Sequence, residues 1–209
     1  MRVYVDLFIF LLENYKSLFF FVFLMGIPPQ ATRAFKGDIF SVYQWEQKLY
    51  DGSIHMFEML KRPDSVKVIA TFGESVFLGF EEQPNRSEAY NLFGGRCEDG
   101  EEPLETARRE LLEETGMVCV DWELFTVYDF SEIKIDWKLY IYIARNCRRV
   151  AEPKLDPGEK IRVEEVSFER FMELGMRNGF RWDRFCIDLL KIHCDKKKLA
   201  EFKGKLFGR

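Results

Sequence analysis

Histidine is almost missing from this chain: His55 and His193 are the only two among 209 residues. That scarcity excludes a His-rich metal centre and argues against a Ser/His/Asp hydrolase. Cysteine is sparse as well. The five thiols, Cys97, Cys119, Cys147, Cys186 and Cys194, are odd in number and contain no C-x-x-C pair, so they read as reduced thiols of a cytoplasmic protein and not as disulfides or a zinc site. No charge sign dominates. With 31 Lys and Arg against 35 Asp and Glu, the net charge of -4 offers no basic face for nucleic acid. Repeats and low-complexity tracts are lacking too. What the chain has in quantity is apolar area: 47% of residues are hydrophobic, with 21 Phe and 8 Tyr, enough for one principal core in a length too short for two ordinary domains.

The first residues stand apart from the rest. From Val3 to Ile27 the chain is mostly Phe, Leu, Ile and Val, but Asp6, Glu13 and Lys16 interrupt it. A central charge costs about 2.5–3.5 kcal/mol in a bilayer, against about 0.3–0.6 kcal/mol gained per apolar residue. A membrane partner is therefore not expected unless residues 1–24 are a genuine anchor. A signal peptide fits poorly, because only Arg2 charges its start and no clear small-residue cleavage site follows. In a third reading Met25 is the true start, which leaves every motif intact. The expected organisation is a hydrophobic segment at 1–25, a strand unit at 26–62, the main domain at 63–195 and a Lys-rich, solvated tail at 196–209.

Strand-like stretches at Asp38–Tyr43 and Ile54–Leu60 flank an Asp51-Gly52 turn, and Val66–Phe72 and Ser75–Phe80 flank Gly73-Glu74 as a hairpin. The pattern then changes. Pro103 opens a segment with Leu104, Ala107 and Leu111 on one face and Gly116 just past its end, the expected asymmetry of a helix. Strands are predicted at Trp122–Tyr128, Trp137–Ala144 and Ile161–Val166, and amphipathic helices at Phe168–Met176 and Trp182–Ile192.

On the helix after Pro103, Glu110, Glu113 and Glu114 lie at i, i+3 and i+4. Their carboxylates share one face and repel by roughly 0.2–0.5 kcal/mol per exposed pair. Hard oxygen ligands at this spacing suit Mg2+ or Mn2+, which take a few carboxylates and complete their shell with water and substrate phosphate. The simpler alternative is a solvated acidic face with pairs such as Glu105 to Arg109.

The surrounding residues favour the metal. Gly95, five residues, Glu101, seven residues and then Arg109-Glu110-Leu111-Leu112-Glu113-Glu114-Thr115-Gly116-Met117 fill every position of the pattern G-x5-E-x7-R-E-U-x-E-E-x-G-U, where U is a bulky apolar residue. Its seven fixed identities would meet by chance roughly once in a million chains, taking about one in fifteen per position. In this box the chain resembles the Nudix hydrolases. The resemblance implies an α/β/α sandwich around a mixed sheet, with the box as loop, helix and loop. It makes Glu110 and Glu114 the principal metal ligands and Glu113 a further or water-mediated one. The carbonyl of Gly94 would face the metal, Gly95 would allow close backbone approach, Gly116 would end the helix, and Arg109 with Glu101 would brace loop against helix. Family members hydrolyse a nucleoside diphosphate linked to another group, with divalent ions polarising the diphosphate and activating water.

From about residue 36 to residue 193, the stretches Ile39–Tyr43, Phe57–Pro63 and Val66–Ala70 resemble the ADP-ribose and ADP-sugar pyrophosphatase branch. That resemblance implies a small N-terminal antiparallel strand unit supporting a homodimer, with Tyr43, Trp45 and Phe57 as candidate adenine-stacking residues. Arg86 falls where the branch often places an Arg near the phosphates. Gly158-Glu159 resembles the late loop that delivers a water-activating base, with Glu164 and Glu165 as neighbouring competitors. Phe93 before Gly94-Gly95, and the absence of the branch's common Pro marker downstream of the box, depart from the branch and leave the distal sugar open. The implied reaction is hydrolysis of ADP-ribose or a related nucleotide sugar to AMP and a sugar phosphate. A nucleoside triphosphate pyrophosphohydrolase is the alternative enzyme. A non-catalytic nucleotide sensor is the alternative outside that class, although such modules usually lack the box carboxylates present here.

Overall fold

The computed structural model describes residues 26–84, 86–177, 180 and 182–208. The readings of residues 1–25 as an anchor, signal or untranslated stretch lie outside the described residues, as does the side chain of Arg86. In chain order the first strands are β1 (Thr32–Lys36), β2 (Ser41–Lys48), β3 (Ile54–Lys61), β4 (Ser65–Phe72), β5 (Ser75–Gln83) and β6 (Arg86–Asn91). Helix α1 (Pro103–Thr115) precedes β7 (Met117–Val118), β8 (Asp121–Asp129), β9 (Ile135–Asp136), β10 (Lys138–Arg145), β11 (Arg148–Arg149) and β12 (Lys160–Ser167). Helices α2 (Phe168–Met176), α3 (Asp183–His193) and α4 (Lys196–Phe207) close the chain.

These elements fall into two units. One comprises the described residues up to Arg62 together with Asp129–Lys138, and the other the described residues from Pro63 to Tyr128 and from Leu139 onward. In the first, β1, β2 and β3 form an antiparallel sheet, and the short β9 joins β3 in parallel. Residues 129–138 thus belong with the strand unit although they lie about seventy residues further along the chain, a placement that no local pattern announces. Arg62 stacks over the Trp137 ring at 4.4 Å and Phe130 stacks on the same indole at 4.2 Å, which anchors the insertion.

The second unit is an α/β/α sandwich. Its mixed sheet has the order β12-β5-β4-β10-β8, with β6 added beside β5. The central pair β4 and β10 is parallel, and the remaining pairings recorded in this sheet are antiparallel. β4 is buried from Ser65 to Thr71, as expected of a strand covered on both faces. Its alternate residues Val66, Val68 and Ala70 pack with Ala107 and Leu111 of α1. One step out of phase, Thr71 donates its hydroxyl to the Leu206 carbonyl of α4. α1 runs over the predicted residues, with Pro103 in its first turn and Gly116 in the left-handed region, its N–H returning to the Leu112 carbonyl.

Two expectations are corrected. Lys196–Phe207 form a docked helix and not a solvated tail: Asp195 caps its N-terminus, and Phe202 and Leu206 are buried. Five lysines among its twelve residues obscure the apolar stripe of Leu199, Phe202 and Leu206 in the sequence. The cysteines are not all reduced either, since Cys119 and Cys147 are joined in a disulfide with Cα atoms 4.5 Å apart. β7 and β11 pair antiparallel with Val118 opposite Arg148, which carries the next residues on each side, Cys119 and Cys147, against one another. A separation of 28 residues hides that pairing until the strands meet.

The bridge gives a direct expectation. Under denaturing but non-reducing conditions an alkylating agent should modify Cys97, Cys186 and Cys194 and leave two of the five cysteines unmodified until reductant is added; intact mass after alkylation reads the count.

Candidate active site

The loop after β6 runs back along β4, where the Val68 N–H donates to the Phe93 carbonyl at 2.8 Å and the Val66 N–H to the Gly95 carbonyl at 2.9 Å. Two glycines make that path available. Gly94 has φ 127°, and a Cβ there would fall on the Val66 carbonyl oxygen. At Gly95 a Cβ would lie 2.5 Å from Glu110 Oε1, so only glycine lets this carboxylate rest against the loop. The Gly94 peptide is clamped from both sides: its N–H donates to Glu114 Oε2 at 2.7 Å, and its carbonyl accepts from Lys67 Nζ at 2.7 Å.

Arg109 ties this loop to α1. Its Nε and Nη2 donate to the two oxygens of Glu101 at 3.0 and 3.1 Å, the parallel geometry that makes Arg–carboxylate pairs strong. Nη2 also donates to the Arg96 carbonyl, and Nη1 to Glu110 at 2.9 Å and Glu113 at 3.0 Å. Glu101 is held further by the Thr106 hydroxyl at 2.8 Å and the Glu98 N–H at 3.1 Å. Hydrogen bonding to Arg109 is the main reason the Glu101 carboxyl titrates low, at about 2.

The other carboxylates behave in the opposite way. Burial pushes Glu114 up to about 8 against the opposing Lys67 charge and Gly94 N–H, with Glu110 and Glu159 adding to the rise. Burial likewise raises Glu110, which Arg109 offsets and Glu113 reinforces. Glu159 sits at the expected turn, its N–H donating to the Asp156 carbonyl at 2.9 Å. Its carboxyl is raised first by burial and then by Glu81, Asp156 and Glu110. The structure therefore brings Glu159 into the same electrostatic field as Glu110 and Glu114.

Among the described residues, no three His, Cys, Asp or Glu side chains converge closely enough to hold a metal ion as they stand. Glu110 and Glu113 turn to Arg109, while Glu114 turns to Gly94. The chemistry of the donor set nevertheless fits a hard divalent cation. Carboxylates from Glu110 and Glu114 and the Gly94 carbonyl flank one loop, and their crowded negative charge favours an added cation.

The remaining sequence candidates have different surroundings. Glu164 accepts from the Tyr90 hydroxyl at 2.8 Å and from Arg162, which lower its carboxyl and commit it elsewhere. Glu165 is exposed and paired in register with Phe77. Arg86 opens β6 opposite Gln83. Tyr43, Trp45 and Phe57 each have a place within the other unit's sheet: Tyr43 lies opposite Met59, and the rings of Trp45 and Phe57 pack 6.1 Å apart. Three buried charged residues, Lys67, Glu81 and Arg145, went unnoticed in the sequence. Lys67 is the lone charge inside the apolar run of β4, and Glu81 on β5 accepts from Gln83 and from Asn91, whose own side-chain oxygen takes the Trp182 indole N–H. A single charge within a hydrophobic strand was the available signal for Lys67, whereas Glu81, beside Glu82, and Arg145 sit at the charged ends of β5 and β10 and carry no such mark.

The Arg109–Glu101 brace sets a pH dependence. Because the folded Glu101 titrates near 2, below its ordinary 4.5, its contribution is fully present above pH 4.5 and is lost as pH falls toward 2. Glu101→Gln should lower the melting temperature by roughly 3–12 °C at pH 7, taking about 1.5–3 kcal/mol for a charge-assisted pair. The deficit should shrink below pH 4.5; parallel melts of wild type and variant across pH 2–7 measure it.

Comparison with known proteins agrees with this geometry. The NUDIX domain family model matches residues 61–185. The ADP-ribose pyrophosphatase of Bacillus subtilis (strain 168) is 29% identical over 143 residues, covering 67% of this chain and 77% of that protein. The methanol dehydrogenase activator of Bacillus methanolicus is 26% identical over 147 residues, covering 69% of this chain and 80% of that protein. A crystal structure of an ADP compounds hydrolase superposes with a TM-score of 0.65 at 19% identity, over 79% of this chain and 90% of that one, and shares the fold. With the family model spanning more than half of the sequence, an unbroken box and the sandwich that displays it, this chain belongs to the Nudix hydrolase family.

Proposed function

We propose that this Nudix hydrolase cleaves the diphosphate of ADP-ribose or a related nucleotide sugar, with Mg2+ or Mn2+, to give AMP and a sugar phosphate. The observation that carries the reading is the pair Glu114 and Glu110 set against Gly94 and Gly95, with Glu159 electrostatically coupled to both. The relative named as an ADP-ribose pyrophosphatase supports the substrate class. The divalent ion, held by Glu110, Glu114 and the Gly94 carbonyl with Glu113 at the margin, would polarise the diphosphate and make water more acidic.

The chain's own groups do the rest. In the hydrolysis, water oxygen bonds to one phosphorus, the bond from that phosphorus to the bridging oxygen breaks, and Glu159 takes the proton released by the water. A half-buried loop position lets Glu159 close on substrate, while Arg109 and Glu101 keep α1 in register with the loop. Arg86 is assigned to the phosphates, and Tyr43, Trp45 and Phe57 to the adenine. Those aromatics lie in the strand unit, and we assign that unit to a homodimer contact. On composition we place the enzyme in the cytoplasm; an intact Cys119–Cys147 bridge in protein taken directly from cells would instead indicate an oxidising compartment.

A panel of ADP-ribose, other nucleotide sugars, dinucleotides and nucleoside triphosphates, assayed with each ion and with products identified, should yield AMP plus a sugar phosphate. Pyrophosphate as product would favour the triphosphate reading, and tight binding without turnover the sensor. Glu114→Gln should remove most turnover. Glu159→Gln should lower kcat by about 10²–10⁴ with the melting temperature and metal affinity nearly unchanged. Sedimentation at twice the chain mass of 24.9 kDa checks the dimer.

A further inference from the structure

Lys67 is the feature of the site that the box does not explain. It lies in the middle of the central strand β4 and is only 7% exposed, a rare position for a lysine. Two of its three donors go to backbone carbonyls, Leu92 at 2.8 Å and Gly94 at 2.7 Å. Its charge acts favourably on three carboxylates at once: Glu110, Glu114 and Glu159. A buried ammonium with this surrounding holds the loop in place and adds positive charge to the acidic face besides that of Arg109, whose guanidinium already takes Glu110 and Glu113.

We propose that Lys67 is a resident counter-cation of the site: its ammonium holds the Gly94 carbonyl and balances Glu110 and Glu114, and a divalent ion reaches that carbonyl only by displacing it. The inference rests on the metal-dependent reading above. A divalent ion bound to the Gly94 oxygen would share a single atom with the ammonium, and two cations on one oxygen repel strongly in a buried, weakly screened setting. Lys67 therefore offsets the mutual repulsion of the carboxylates in the metal-free enzyme, and it raises the ion concentration at which the site fills. Once displaced, the ammonium remains tethered to β4 within the same group of charges. The residue is a positioning residue, acting on the site through the Gly94 loop and the field at the carboxylates.

The test compares full-length wild type, Lys67→Met and Lys67→Gln by titration calorimetry with Mn2+ alone and by melting in chelator and in Mn2+. Lys67→Gln keeps a donor for the loop without the charge, which separates the hydrogen bond from the counter-ion role. Both variants should bind Mn2+ at least tenfold more tightly than wild type, melt lower in chelator and gain more from Mn2+. In wild type, reductive methylation read by mass spectrometry should label Lys67 faster with Mn2+ than in chelator, with exposed Lys160 as the internal reference. Affinity decides where either variant folds, and labelling decides where neither does. Variants that bind Mn2+ no more tightly than wild type, or unchanged Lys67 labelling when the variants do not fold, would make Lys67 a structural clamp and overturn the proposal. Wild type that binds no Mn2+ overturns the metal-dependent reading itself, and this inference with it.

Discussion

Arg109 holds three carboxylates and a backbone carbonyl with one guanidinium, and the rest of the site depends on that junction. Glu101 comes from the loop before α1, Glu110 and Glu113 come from the helix, and the Arg96 carbonyl comes from the loop beyond Gly95. A planar fork with five donors can serve all of them in fixed geometry, which a lysine could not. With loop and helix locked together, Glu110 lies against Gly95 and Glu114 reaches the Gly94 N–H.

The cost of this arrangement is negative charge in a poorly hydrated place. Glu114 is almost fully buried, Glu110 mostly so, and Glu159 shares their field. Hydrogen bonds alone do not compensate them, so their affinity for protons rises. The same imbalance that favours protons favours an added cation. Lys67 and Arg109 moderate the imbalance from two directions, one from the central strand and one from the helix. A Nudix box is therefore only part of the electrostatic unit; in this chain β4 supplies another part.

Local patterns made much of the fold legible. The helix boundaries at Pro103 and Gly116 follow from ring geometry at one end and a left-handed cap at the other, both written in single residues. The strands β4 and β5 follow from short β-rich runs separated by Gly73-Glu74. Elements without such local marks were missed. β9 is two residues long and owes its existence to β3, while β7 and β11 exist as strands only against each other. α4 was obscured by lysines whose chains lie outward while Phe202 and Leu206 turn in. In each case the information lay in a partner distant along the chain.

The same division runs through the site. The sequence by itself determined the family, the box residues and the helix that carries them, because fixed spacings on one helix and one tight loop convert directly into geometry through the 3.6-residue turn and the freedom of glycine. Only the tertiary structure decided which groups outside the box share its field. Lys67 precedes Gly94 by 27 residues and Glu159 follows Glu114 by 45, and Cys119 meets Cys147 across 28. Charge interactions and disulfides depend on distance in space, and a linear order fixes that distance only after strands have chosen their partners.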